Sequence, residues 1–201
     1  MLRSLIAFLF RLAGWKVVGS APVGVPKSIW VVIPHTSNWD FPVGLGTRAT
    51  LKIWIGYLAK QELFRWYSGW LFRALGGYPV DRSRNNNLVD AVVDTFRKNN
   101  YMHIAIAPEG TRTDVARLKT GFYYMALGAG VPLIPVVFSH PTKTVTVGEA
   151  LYLTGKYQQD MKQLYDFYLA TGCEKKTWLR DYERTGIIPE PGRPASDGLL
   201  P

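Results

Sequence analysis

The chain has 201 residues, but one cysteine, three histidines and no apolar run long enough to span a bilayer. Each scarcity excludes something. Cys173 alone cannot build an intrachain disulfide framework, and it fits a reducing compartment. His35, His103 and His140 lack the paired spacing of a metal site, so no metal is expected. The N-terminal stretch MLRSLIAFLFRLAGW is interrupted by Arg3 and Arg11 and falls short of the roughly 20 residues of a transmembrane helix. It also lacks a small-residue cleavage site, which disfavours a signal peptide. Two fates remain for it: an interfacial helix with its arginines reaching lipid phosphates, or a helix packed on the core. No G-x-S-x-G elbow is present, so a serine nucleophile of that kind is missing. Neither repeats nor low-complexity tracts occur.

Acidic residues are also few. Fifteen Asp and Glu stand against 24 Lys and Arg, a net charge of +9, which favours nucleic acid, phosphorylated metabolites or an anionic bilayer as partner. Charge alone does not choose among them.

What is present is apolar and patterned. With 47% hydrophobic and 13% aromatic residues, the length suits one core. Strands are expected at SIWVVIP, KIWIGYL, GYPVD, MHIAIAP, VPLIPVVFS and TVTVGEALYL, each bounded by turn residues. Helices are expected at FPVGLGTRATL, ELFRWYSGWLFRALG, NLVDAVVDTFRKN and KYQQDMKQLYDFYLAT, the third with one apolar face at Leu88, Val92, Val93 and Phe96. The alternation predicts a single α/β domain: a mostly parallel central sheet flanked by helices, plus the amphipathic N-terminal helix. The chain divides into an apolar helix over residues 1–15, the α/β domain over 16–172, and a charged extension and tail over 173–201. The last of these ends in PEPGRPASDGLLP, a composition typical of a loosely packed terminus.

In such folds ligands gather beyond the carboxyl ends of the strands, and several chemistry-bearing segments fall there. PHTSNWDF places His35 and Asp40 five positions apart after a hydrophobic strand. Five residues of helix turn about 500°, which would leave the two side chains on different faces. A strand end followed by a tight turn into a helix would close the gap, giving a general base oriented by an acid. An isolated histidine is more often structural. APEGTR, after the strand MHIAIA, offers Gly110 for a turn and Thr111 and Arg112 as donors for an anion. Glu109 reads either as a residue that orients Arg112 or accepts from a substrate hydroxyl, or as a solvent-exposed loop acid. GGYPVDRSR adds Asp81, Arg82 and Arg84, a pattern more often structural than substrate-binding. Lys119 and Gly121 open a further helix and add positive charge at the same edge. GLGTRA resembles a dinucleotide-binding turn only superficially, because its glycines come ten residues after Pro34. His103 reads as a strand residue.

Taken in order, HTSNWD, GGYPVDR, APEGTR and VPLIPV resemble the four blocks of the glycerolipid acyltransferase family, spanning residues 35–136. The resemblance implies that His35 deprotonates an acceptor hydroxyl with Asp40 as its partner. It assigns phosphate or acceptor binding to Arg82, Glu109, Gly110, Thr111 and Arg112, while Val131 to Pro135 shape the site. It further implies transfer of a fatty acyl group from an acyl-CoA or acyl carrier protein thioester to a lysophospholipid such as 1-acylglycerol-3-phosphate, in phospholipid biosynthesis. No cofactor is implied beyond that co-substrate. The partners would be the thioester, the lysophospholipid and an anionic membrane surface on the cytoplasmic face, held peripherally or monotopically, with no nucleic acid. Ala107 departs from the family, where many members carry phenylalanine. Two alternatives stay open: a thioester or lipid hydrolase in which the His-Asp pair activates water, and a non-enzymatic basic module binding anions or nucleic acid.

Overall fold

Strand β2 (Lys27–Ile33) is buried on both faces: Ile29, Val31 and Ile33 point one way and Trp30 the other. A strand without a wet face belongs at the centre of a sheet with helices on both sides. The computed structural model describes residues 2–80, 88–173 and 176–191, so Asp81, Arg82 and Arg84 lie outside the described residues. The sheet also contains β1 (Lys16–Val18), β3 (Gly56–Lys60), β4 (Gly77–Val80), β5 (Met102–Ile106), β6 (Leu133–Ser139) and β7 (Thr144–Val147), in the order β1-β7-β6-β2-β5-β3-β4. Every pairing is parallel except β6 with β7. The expected α/β domain with a mostly parallel sheet is the observed one.

The helices are α1 (Leu2–Leu12), α2 (Asp40–Leu51), α3 (Gly69–Ala74), α4 (Leu88–Lys98), α5 (Gly121–Ala129), α6 (Tyr157–Ala170) and α7 (Thr177–Thr185). On one face, Val92, Val93 and Phe96 of α4 join Ile29, Val31, Leu133 and residues of α5, α6 and α7 in the larger core. Across the sheet, Phe10 of α1 and Val43 of α2 meet Trp30, Ile134, Val136 and Phe138. Each fully buried aliphatic contributes about 1.5–3 kcal/mol, which fixes the sheet's register between two helical layers. Gly46 of α2 permits one close approach. A Cβ there would lie 2.1 Å from the Phe10 ring, so GLGTRA is helix-packing sequence, not a nucleotide turn.

Several boundaries differ from expectation for local reasons. The helix expected over residues 62–76 is divided into a 3-10 turn, Gln61–Phe64, and α3. Gly69 marks the break, its position lying 2.9 Å from the Phe64 carbonyl oxygen for any added Cβ. The strand expected from Lys52 begins at Gly56, because Lys52 takes left-handed backbone (φ 58°) to terminate α2. Of TVTVGEALYL only Thr144–Val147 is strand, and Leu151 makes an isolated bridge to Leu133. The three-residue β1 was not anticipated.

The core also continues past residue 172. In α7, Trp178, Leu179 and Tyr182 are buried against Tyr165 and Tyr168 of α6, and Ile188 follows them into the core. Asp114 caps this helix from a distant loop, accepting from Thr177 N at 2.8 Å and Thr177 Oγ1 at 2.6 Å. Helix α7 is therefore a packed brace of the loop that follows APEGTR.

Candidate active site

His35 stands two residues beyond β2, and Asp40 is the first residue of α2. The turn between them closes on the carboxylate itself. Asp40 Oδ2 accepts from Thr36 N at 2.8 Å, from Ser37 N at 3.0 Å and from His35 Nδ1 at 2.8 Å. The acid thus builds the bend that brings it to the imidazole. Its other oxygen, Oδ1, accepts from His140 Nε2 at 2.7 Å. Burial alone would raise the Asp40 pKa. The hydrogen bonds from His35, Ser37 N, His140 and Thr36 N outweigh it and hold the carboxyl well below the usual carboxylate range.

An ionised carboxylate can only accept, so both imidazoles donate to it. His35 therefore carries its proton on Nδ1 and keeps the Nε2 lone pair available. Its side chain is 30% exposed, against 4% for Asp40. The orientation is that of a general base backed by an acid.

His35 and Asp40 line a cavity of about 300 Å³ between the sheet and α2. Trp30, Val32 and Phe138 form its sheet side, and Phe41, Gly44 and Leu45 its helix side. Gly44 faces open space, with no atom within 4 Å of where a Cβ would sit. At the far end Arg48, two turns from Asp40, donates from Nη1 to the carbonyls of Ile55 (3.0 Å) and Leu75 (2.8 Å) and lies 4.4 Å over the Trp54 ring. The walls are apolar and the reactive groups stand at one end, so the space suits a hydrocarbon chain whose functional group meets His35.

The Trp30 wall is fixed from behind. Its indole N–H donates to Ser28 Oγ at 2.9 Å, and Ser28 Oγ is 2.7 Å from His103 Nδ1. His103 is fully buried, and burial pushes its pKa down to about 4, so it stays neutral.

The APEGTR loop reaches the site, but not as expected. Glu109 is 1% exposed, and its Oε2 accepts from His35 N at 2.6 Å. It holds the His35 backbone, and neither lines the cavity nor faces solvent. Its contact is thus with the His35 backbone, where one with the acceptor was expected. Burial raises its pKa above the ordinary 4.5, opposed by the hydrogen bond from His35 N and the nearby Lys176 charge. Gly110 takes left-handed backbone (φ 67°), and Lys119 lies across it, 2.7 Å from where a Cβ would be. Thr111 Oγ1 meets Thr113 Oγ1 at 3.1 Å, and Arg112 is exposed. Gly110, Thr111, Arg112 and Lys119 do not line the cavity, and Arg82 lies outside the described residues.

Glu109→Ala should lower the unfolding free energy by about 1–3 kcal/mol, because the part-buried His35 N–H loses its acceptor. Glu109→Gln keeps an oxygen for that N–H and should lose much less. A raised carboxyl pKa means that wild-type stability falls as pH rises through the window above 4.5. The advantage of glutamine should therefore grow across that window. Urea titrations showing equal losses for both variants, or no pH trend between glutamine and wild type, would contradict this role.

Sequence reasoning missed His140 and Arg48. A signal for His140 existed: β2 and β6 are parallel neighbours, pairing Ile33 with Val137, and each ends within three residues of a histidine. Among the described residues, no group of three His, Cys, Asp or Glu side chains could hold a metal ion.

Fold and site together define a class: an α/β domain with an acid-backed histidine at the carboxyl edge of its sheet and a largely apolar cavity beside it. A family model described as acyltransferase matches residues 16–139. The chain belongs to this acyltransferase family. It is 31% identical over 156 residues to the human 1-acyl-sn-glycerol-3-phosphate acyltransferase beta, covering 68% of this chain and 55% of that protein. The Salmonella typhimurium 1-acyl-sn-glycerol-3-phosphate acyltransferase is 29% identical over 119 residues, 56% of this chain and 47% of its own. This chain thus spans about half the length of these relatives. The crystal structure of the 1-acyl-sn-glycerophosphate acyltransferase from Thermotoga maritima shares the fold, with a TM-score of 0.56 at 21% identity over 85% of this chain and 78% of that one.

Proposed function

We propose that this protein transfers a fatty acyl group from an acyl-CoA or acyl carrier protein thioester to the hydroxyl of a lysophospholipid, with 1-acylglycerol-3-phosphate as the favoured acceptor. The observation that carries this reading is the His35–Asp40 pair opening onto the apolar cavity. His35 Nε2 takes the acceptor's hydroxyl proton as its oxygen attacks the thioester carbonyl. The C–S bond then breaks, and the departing thiolate takes the proton back from the imidazolium. Asp40 stabilises that imidazolium, the fatty chain lies along Gly44 and Leu45, and the thioester supplies the activation, so no cofactor enters. Arg82, Arg112 and Lys119 are the candidate cations for the acceptor phosphate.

The substrates reside in membranes, and the surface is suited to one. Helix α1 buries Ala7 and Phe10 on α2 while Leu2, Leu5, Phe8, Leu9 and Leu12 stay exposed, so packing on the core and lying at an interface are compatible. Trp39, within the turn, is 73% exposed, and Trp66, between Phe64 and α3, is 93% exposed. No helix among the described residues is long and apolar enough to cross a membrane. With the +9 charge, apolar insertion and attraction to anionic headgroups act together, as peripheral attachment to a cytoplasmic leaflet requires.

The test is lipid mass spectrometry of the full chain incubated with an isotope-labelled acyl thioester and anionic vesicles carrying lysophosphatidate. Labelled phosphatidate should form, with little free fatty acid. Free acid released at a comparable rate without acceptor would make the protein a hydrolase and overturn the transferase reading.

A further inference from the structure

Asp40 serves two imidazoles. His35 Nδ1 is 2.8 Å from Oδ2 and His140 Nε2 is 2.7 Å from Oδ1, on opposite sides of one buried carboxylate. His140 comes from the end of β6, a hundred residues from Asp40 in the chain. Its ring is 34% exposed, with the Trp15 ring edge-on at 5.3 Å. Its carbonyl accepts from Lys143 N, while Lys143 Nζ is committed to the Ala13 carbonyl at 2.9 Å.

The local turn already supplies Thr36 N, Ser37 N and His35 Nδ1 to Oδ2. Those three bonds share one oxygen and leave rotation of the carboxylate about its own axis resisted from one side only. We propose that His140 is a positioning residue of this site, its Nε2–H donating to Asp40 Oδ1 and locking the carboxylate plane so that His35 keeps its Nδ1–H tautomer and its Nε2 toward the cavity. This rests on the reading of His35 as the base, and it adds a member no nearby motif announces.

The experiment compares wild type, His140→Phe and His140→Gln, the glutamine amide nitrogen standing near the position of Nε2 without titrating. His140→Phe should lower kcat by about 10- to 100-fold with KM changed less than about twofold, as a misdirected base does. His140→Gln should recover most of kcat. Nitrogen-15 NMR of the His35 ring, read without substrate, should show the Nδ1–H tautomer in wild type and glutamine and a mixture in phenylalanine. Wild-type kcat and His35 tautomer in His140→Phe would overturn the proposal. So would equal losses in both variants that track the folded fraction. Should the wild type transfer no acyl group, the function proposed above fails while the NMR comparison still decides the role of His140.

Discussion

His35→Ala is expected to lower kcat for acyl transfer by about 10²- to 10⁴-fold, the usual range for a lost general base. The fold should be nearly unaffected, since the ring is part-exposed and its side chain's hydrogen bond is the one to Asp40. Matched thermal unfolding with lost turnover separates chemistry from stability. Asp40→Asn sharpens the point. Its amide oxygen can take the place of Oδ2 toward Thr36 N, Ser37 N and His35, with its nitrogen facing His140, whose neutral ring can accept instead of donate. Geometry survives this exchange, but the negative charge that stabilises the imidazolium does not. A loss on the order of 10²-fold or more is expected. Should Asp40→Asn retain full activity with His35→Ala inactive, the acid would be a scaffold for the turn and nothing more.

The second large effect is one of shape. Gly44→Phe should lower kcat/KM for a long-chain thioester by at least about tenfold while leaving a short-chain donor such as butyryl-CoA within a few-fold of wild type. Gly44 lines the cavity one turn beyond Asp40 with open space in front of it, so an aromatic ring enters the volume assigned to the chain. Gly44→Ala is the control. It should preserve activity and stabilise α2 by about 0.5–1 kcal/mol, because alanine restricts the unfolded chain and suits a helix. Equal loss for long and short donors in Gly44→Phe would place the fatty chain elsewhere.

Elements whose signal is local could be read before folding. The strand SIWVVIP and the helix with Val92, Val93 and Phe96 carry their own periodicity, and the His35–Asp40 turn lies within six residues. Glu109 could not be placed because sequence does not say which loop acids are buried. Its role depends on a backbone N–H 74 residues away. His140 was set aside as a scattered histidine, since its meaning comes from the parallel pairing of β2 with β6. Helix α7 was hidden by the charges of TWLRDYERT, although Trp178, Leu179 and Tyr182 share one face. In each case the missing information was a contact between segments distant in the chain. Arg82, also expected to bind phosphate, lies outside the described residues.

The central claim is that His35 activates a lipid hydroxyl in preference to water. Its most direct measurement is the partition of a labelled acyl thioester between phospholipid and free fatty acid as lysophosphatidate in the vesicles is raised from zero. Label should pass into phospholipid in proportion to acceptor occupancy, with hydrolysis a small constant background, and both should collapse in His35→Ala. Free acid that dominates at every acceptor level, or phospholipid formed equally well by His35→Ala, would contradict the account.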